Sequence, residues 1–143
     1  VELDSATCKD LTQVQQVQAD MLCNLLRRWM AKLGIHQHTG VKVMYDKNMD
    51  DDDLFNVDSN RAQYRWYELR FGNKFLCGRK TLEMDVVHEV LHMALYPLTT
   101  LAWEVHGRNA RADRMLNAAE EEVVTRLEFA IATLSGLAKM EEQ

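Results

Sequence analysis

Apolar residues recur at helical spacing early in the chain. Leu22, Leu25, Leu26, Trp29 and Leu33 stand at i, i+3, i+4, i+7 and i+11, one face of a helix with 3.6 residues per turn. The pattern predicts a long helix from about Asp10 to Leu33, with Gly34 placed as its C-terminal stop. Val41–Tyr45 alternates apolar and polar positions and reads as a short strand. The polar stretch Asp46–Asp53 ends in four consecutive acids. It lacks the Asp-x-Asp-x-Asp-Gly spacing and closing Glu of a calcium loop, so it reads as a solvated loop.

Gln63–Phe71 is aromatic and alternating: Tyr64, Trp66 and Glu68 share one face, Arg65, Tyr67 and Leu69 the other. Gly72-Asn73-Lys74 then reads as a turn and Phe75-Leu76-Cys77 as a return strand, giving a hairpin. Aromatics interleaved with Arg suit nucleic-acid stacking, but sheet packing accounts for them more simply. Thr81 is placed to cap a helix running to about Leu95, with Pro97 marking its end. A connecting segment, Leu98–Gly107, carries Trp103 and His106, and a final helix runs from about Asn109 to Lys139. Its apolar face is Leu116, Val123, Val124, Leu127, Ile131 and Leu134. The sum is a helix-rich α+β fold in one domain, residues 1–143.

Composition narrows the function more than the fold. The chain of 143 residues carries 22 acidic and 17 basic residues, net −5, which argues against a nucleic-acid surface. Arg108, Arg111 and Arg114 are the candidate local basic patch, and a solvated helix face explains them. Cys8, Cys23 and Cys77 are odd in number and form no Cys-x-x-Cys, so a reducing, cytoplasmic setting fits best. No run approaches the roughly 20 apolar residues of a membrane span. No secretory signal is visible from Val1 onward.

The chemistry lies in Asp85-Val-Val-His88-Glu89-Val-Leu-His92-Met-Ala-Leu-Tyr96. Histidines four apart project from one helix face a turn apart. That places two imidazole nitrogens about 2.0–2.1 Å from one zinc ion, with Glu89 beside the first ligand to act as general base on zinc-activated water. Asp85, His88, Glu89, His92 and Tyr96 form one polar stripe beside an apolar stripe of Met84, Val87, Leu91, Ala94, Leu95 and Leu98. A polar seam on a buried helix must be satisfied, and a metal satisfies both histidines at once.

Catalytic zinc takes three protein ligands and keeps one position open. The metzincin continuation is excluded, because Leu95 and Leu98 stand where its Gly and His would be. The final helix offers Glu120-Glu121-Glu122. At about 100° per residue Glu120 points into the apolar face, Glu121 to one side and Glu122 away, so Glu120 is the expected third ligand and His106 its rival. Tyr96 and His106 are the candidates to stabilise an oxyanion.

His88-Glu-Val-Leu-His92-Met-Ala-Leu-Tyr-Pro97 followed by Glu120-Glu-Glu-Val-Val-Thr-Arg-Leu127 resembles the gluzincins, more narrowly the small single-domain metallopeptidases of phages and prophages. The resemblance covers about the last 65 residues. It implies a zincin-like fold, zinc on His88, His92 and a glutamate of the acidic cluster, Glu89 as base, and a peptide or protein substrate in the host cytoplasm. The Asn-Glu-x-x-x-Asp motif of larger gluzincins is absent: Val124 stands four beyond Glu120. The carboxylate that would orient a histidine must come from elsewhere, and Asp85 is the candidate. The aromatic hairpin edge, Gln63–Phe71, is the expected docking edge for an extended substrate. Three other readings share these residues: a non-catalytic zinc protein that works by binding a partner such as a host protein, a zinc hydrolase of non-peptide substrates, and a metal-free helical interaction module.

Overall fold

The computed structural model describes residues 1–35, 39–61, 66–77, 83–107 and 109–136. The elements are β1 (Glu2–Leu3), α1 (Ser5–Asp10), α2 (Gln13–Lys32), β2 (Gly40–Tyr45), β3 (Phe55–Arg61), β4 (Trp66–Phe71), α3 (Asn73–Leu76), α4 (Glu83–His106) and α5 (Ala110–Ser135). The fold is α+β, with a mixed sheet in the order β1-β2-β4-β3. By its contacts the chain divides into two compact units, Val1–Val86 and Val87–Gln143.

The first unit has an apolar core. α2 buries Leu22, Cys23, Leu26, Trp29 and Met30, and the sheet buries Val41, Val43, Tyr67, Leu69 and Phe71. Both sets follow from periodicity, one of 3.6 and one of 2. The helix expected over about Asp10–Leu33 is α2, Gln13–Lys32, and the short α1 precedes it. The chain breaks after α1, and α2 starts afresh on a capping box: Thr12 Oγ1 accepts from Gln15 N at 3.3 Å, and Gln15 Oε1 accepts from Thr12 N at 2.9 Å. The reciprocal bonds satisfy amides that a helix start leaves open. Gly34, with φ of 72°, follows the helix end as expected.

The expected hairpin is corrected. β4 lies between β2, which it pairs in parallel, and β3, which it pairs antiparallel. Both its edges are used, so Phe75–Cys77 has no edge to pair with and no extended substrate can add to β4. Asn73–Leu76 instead forms a single helical turn that sets the buried Phe75 edge-on to Phe71, ring centroids 5.1 Å apart. Alternation within β4 holds: Tyr67, Leu69 and Phe71 are buried, while Trp66 is exposed. Tyr64 and Arg65 lie outside the described residues.

The second unit is built on α4 from Val87 onward and on α5. Positions that rise along α4 meet positions that fall along α5 (His88 with Glu128, His92 with Glu120), so the two helices run antiparallel. Asn109 caps α5 by accepting from Ala112 N at 2.8 Å. Gly107, at φ 71°, takes the left-handed conformation that glycine tolerates just past a helix end.

Pro97 does not end α4, which continues through the expected connector to His106. Proline removes the backbone bond from position 97 to Met93, yet the following residues stay helical, and Thr99 Oγ1 donates to the Leu95 carbonyl at 3.2 Å. On α5, Val124 and Ala132 are buried, whereas Val123, Leu127 and Leu134, expected in the core, are exposed; so is Leu98 of α4. The Thr81 cap, Arg108 and Lys139 lie outside the described residues. Among those residues no helix is long and apolar enough to cross a membrane.

Candidate metal centre

The His-Glu-x-x-His segment occupies two turns of α4, where Val87, Val90 and Leu91 are buried and the two histidines are partly so. Four-residue spacing stacks the rings on one face. Their centroids lie 4.8 Å apart at an interplanar angle of 67°, and the two Nε2 atoms are 3.2 Å apart.

α5 supplies the rest. Glu121 reaches both rings: its carboxylate lies 3.0 Å from His92 Nε2 and 3.7 Å from His88 Nε2. His88, His92 and Glu121 thereby form a group whose ligand atoms all lie within 4.8 Å of one another. Four ligands at tetrahedral corners about 2.0–2.1 Å from zinc stand about 3.3–3.4 Å apart. The two Nε2 atoms at 3.2 Å and Glu121 Oε1 at 3.0 Å from His92 Nε2 lie close to that edge length, while His88 Nε2 is 3.7 Å from the other carboxylate oxygen, Oε2. Two imidazoles and a carboxylate are also donors that zinc accepts readily. The residues therefore fit such an ion.

Glu120, expected as the third ligand, occupies the buried face where helical phase put it, with its side chain 13% exposed against 57% for Glu121. It turns to the other side of the ring, accepting from His92 Nδ1 at 2.6 Å. Glu128, which periodicity alone did not single out, does the same for His88, accepting from Nδ1 at 2.9 Å. The carboxylates set against the two Nδ1 atoms thus both come from α5. A signal for this was present: Asp113, Glu120, Val124 and Glu128 follow one another at helical spacing on the face that α5 half-buries.

The electrostatics follow from this arrangement. Burial disfavours the charged form of His92, but the bond to Glu120 and the charges of Glu121 and Glu89 outweigh it, so the ring titrates above its ordinary range. Burial pushes the Glu120 carboxyl up, yet hydrogen bonds from His92 and from the buried Thr99 outweigh that and hold it below the usual carboxylate range. Glu89 is partly buried one residue after His88, and its charge is felt at His92.

Tyr96 lies one turn beyond His92, its ring edge-on to Trp103 with centroids 6.3 Å apart. His106 ends the same helix, on the order of 20 Å from His92 along the axis. It lines a different hollow of about 350 Å³ with Asn109, Arg111 and Met115. The structure does not bring it to the histidine pair. No protein-family model, curated protein or solved structure matches the chain.

Proposed function

We propose that this chain is a zinc-dependent peptidase of gluzincin type, with zinc held by His88, His92 and Glu121 and with Glu89 as general base. One observation carries the reading. A carboxylate stands against each Nδ1; in the tautomer where both Nδ1 donate, each neutral ring turns a lone pair inward at Nε2, and Glu121 adds a third acceptor. Three acceptors that converge without a donor repel one another unless a cation stands between them. In its absence a proton is the substitute, in keeping with the raised affinity of His92 for one.

Zinc so held would supply water activated at neutral pH and polarisation of a carbonyl. Glu89, anchored beside His88 on α4, takes the proton from the attacking water and returns it to the leaving amine. Tyr96, one turn past His92, is assigned as the oxyanion donor; His106 is too far along the helix for that role. The non-catalytic alternative calls for a closed site with four protein ligands. His106, the fourth ligand such a site would take, lies about 20 Å along α4 from His92, and this favours the catalytic reading.

The test joins metal content to cleavage. Purified wild type should hold one equivalent of zinc and cut a mixed peptide pool in a chelator-sensitive way. Glu121→Ala should lose the zinc. Glu89→Gln should keep it while cleavage falls about 10²–10⁴-fold. Zinc-free wild type, or Glu89→Gln cutting at the wild-type rate, overturns the proposal.

A further inference from the structure

We propose that Glu128 is the positioning residue for His88, as Glu120 with Thr99 is for His92, the two carboxylates fixing both rings so that each presents Nε2 to the same point. The inference rests on the zinc reading above and adds to it the residues that decide which nitrogen faces the ion.

A neutral imidazole carries its hydrogen on either nitrogen, and only the unprotonated one can ligate. An ionised carboxylate can only accept, so a carboxylate against Nδ1 holds the hydrogen there. Glu128 Oε2 lies 2.9 Å from Nδ1 of His88 and Glu120 Oε1 lies 2.6 Å from Nδ1 of His92, both on the side of the ring away from Glu121. Glu120 and Glu128 stand eight positions apart on α5 while His88 and His92 stand four apart on α4. Glu121, between them in sequence, reaches the inward nitrogens. One helix therefore provides both the ligand and the two residues that orient its partners, in place of the carboxylate four residues beyond the ligand that the gluzincin pattern would supply. Each carboxylate is partly shielded, the Glu128 side chain 29% and the Glu120 side chain 13% exposed, so water competes weakly for the histidine hydrogen.

The experiment uses the full chain with ¹⁵N-labelled histidine, metal-free at pH 8 and then with zinc added. Long-range ¹H–¹⁵N correlation identifies the protonated nitrogen of His88, assigned with the His88→Gln variant. Competition with a chromophoric chelator gives zinc affinity. Wild type should show His88 with its hydrogen on Nδ1 in both states. Glu128→Gln, which can still accept through its amide oxygen, should keep that form and lose zinc affinity only a few-fold. Glu128→Met, similar in size but unable to accept as a carboxylate does, should shift the metal-free ring toward the Nε2–H form and weaken zinc about 10–100-fold. A merely structural Glu128 would leave the tautomer unmoved. The proposal fails if metal-free wild type carries the hydrogen on Nε2, or if Glu128→Met binds zinc within two-fold of wild type. If wild type takes up no zinc at all, the metal reading fails by itself, while the tautomer still decides whether Glu128 orients His88.

Discussion

The two units differ in what they enclose beside their apolar side chains. In Val1–Val86 the interior is apolar: Leu22, Leu26, Met30, Val41, Val43, Leu69 and Phe71 are fully buried, and cohesion comes from area withdrawn from water and from close packing. In Val87–Gln143 the facing sides of α4 and α5 bring together His88, His92, Glu120, Glu121 and Glu128, while Val123, Leu127 and Phe129 stand exposed. Ionisable groups are costly to enclose unless each is paired. The second unit therefore sets a seam of fixed charges beside its own fully buried Val87, Val90, Met93 and Val124, and a seam of that kind is what chemistry needs. The first unit should respond to volume, and the second to protons and metal.

The largest effect is expected where volume matters most. Leu26→Ala removes a fully buried side chain of α2 and should lower unfolding free energy by about 2–5 kcal/mol in urea titration. A loss below about 1 kcal/mol would mean the first unit is not a close-packed core. The second unit should answer to metal. At free zinc a hundred-fold above the dissociation constant, the protein should gain about 2.7 kcal/mol, reversed by chelator and absent in Glu121→Ala. Equal stabilisation of that variant would place the ion elsewhere.

Protons sharpen the contrast. In the metal-free protein the raised His92 contributes stability fully present below its ordinary value of 6.5 and lost as pH rises through its folded value. The depressed Glu120 contributes stability present above its ordinary 4.5 and lost as pH falls through its folded value. The pair therefore stabilises most between about pH 4.5 and 6.5. Wild type minus Glu120→Gln should peak there at about 1.5–3 kcal/mol and shrink on either side; a flat difference would dissolve the pairing. Zinc affinity should run the other way, rising with pH as the rings shed protons. The smallest effect belongs to the sheet surface. A Cβ at Gly40 would come within 2.7 Å of the Trp66 ring, so the ring lies over the glycine. Trp66→Ala should cost about 0.2–1 kcal/mol, and Gly40→Ala less, because an exposed ring can swing aside.

Local periodicity made parts of this molecule readable in advance. The buried face of α2, the alternation of β2 and β4, the stop at Gly34 and the stacking of His88 over His92 each depend on neighbours within a turn or two. Strand partners do not. Nothing near Trp66–Phe71 tells that β2 lies along one edge and β3 along the other, and the mistaken hairpin came from choosing the nearest apolar segment. Pro97 misled because proline raises the cost of a helix without forbidding it. The Thr12-x-x-Gln15 capping box is legible in the sequence, since both its members lie within one turn.

Glu120 shows a subtler limit. Helical phase placed it correctly on the inner face, but facing a histidine and ligating beside it are different things. An imidazole has two nitrogens, and the deeper glutamate takes the outer one while the shallower Glu121 reaches the inner. Which carboxylate meets which nitrogen depends on how α5 is registered against α4, and that is a tertiary property.

The antiparallel course of α4 and α5 has a kinetic consequence. Every group in the seam falls between His88 and Glu128 on consecutive helices, so an ion joining His92 to Glu121 spans a chain segment of about thirty residues, and the entropy of drawing such ends together grows only with the logarithm of length. The seam thus closes over a separation close to that of β2 and β4, whose paired residues stand 26 positions apart (Gly40 with Trp66), so the cradle and the sheet place similar demands on chain closure.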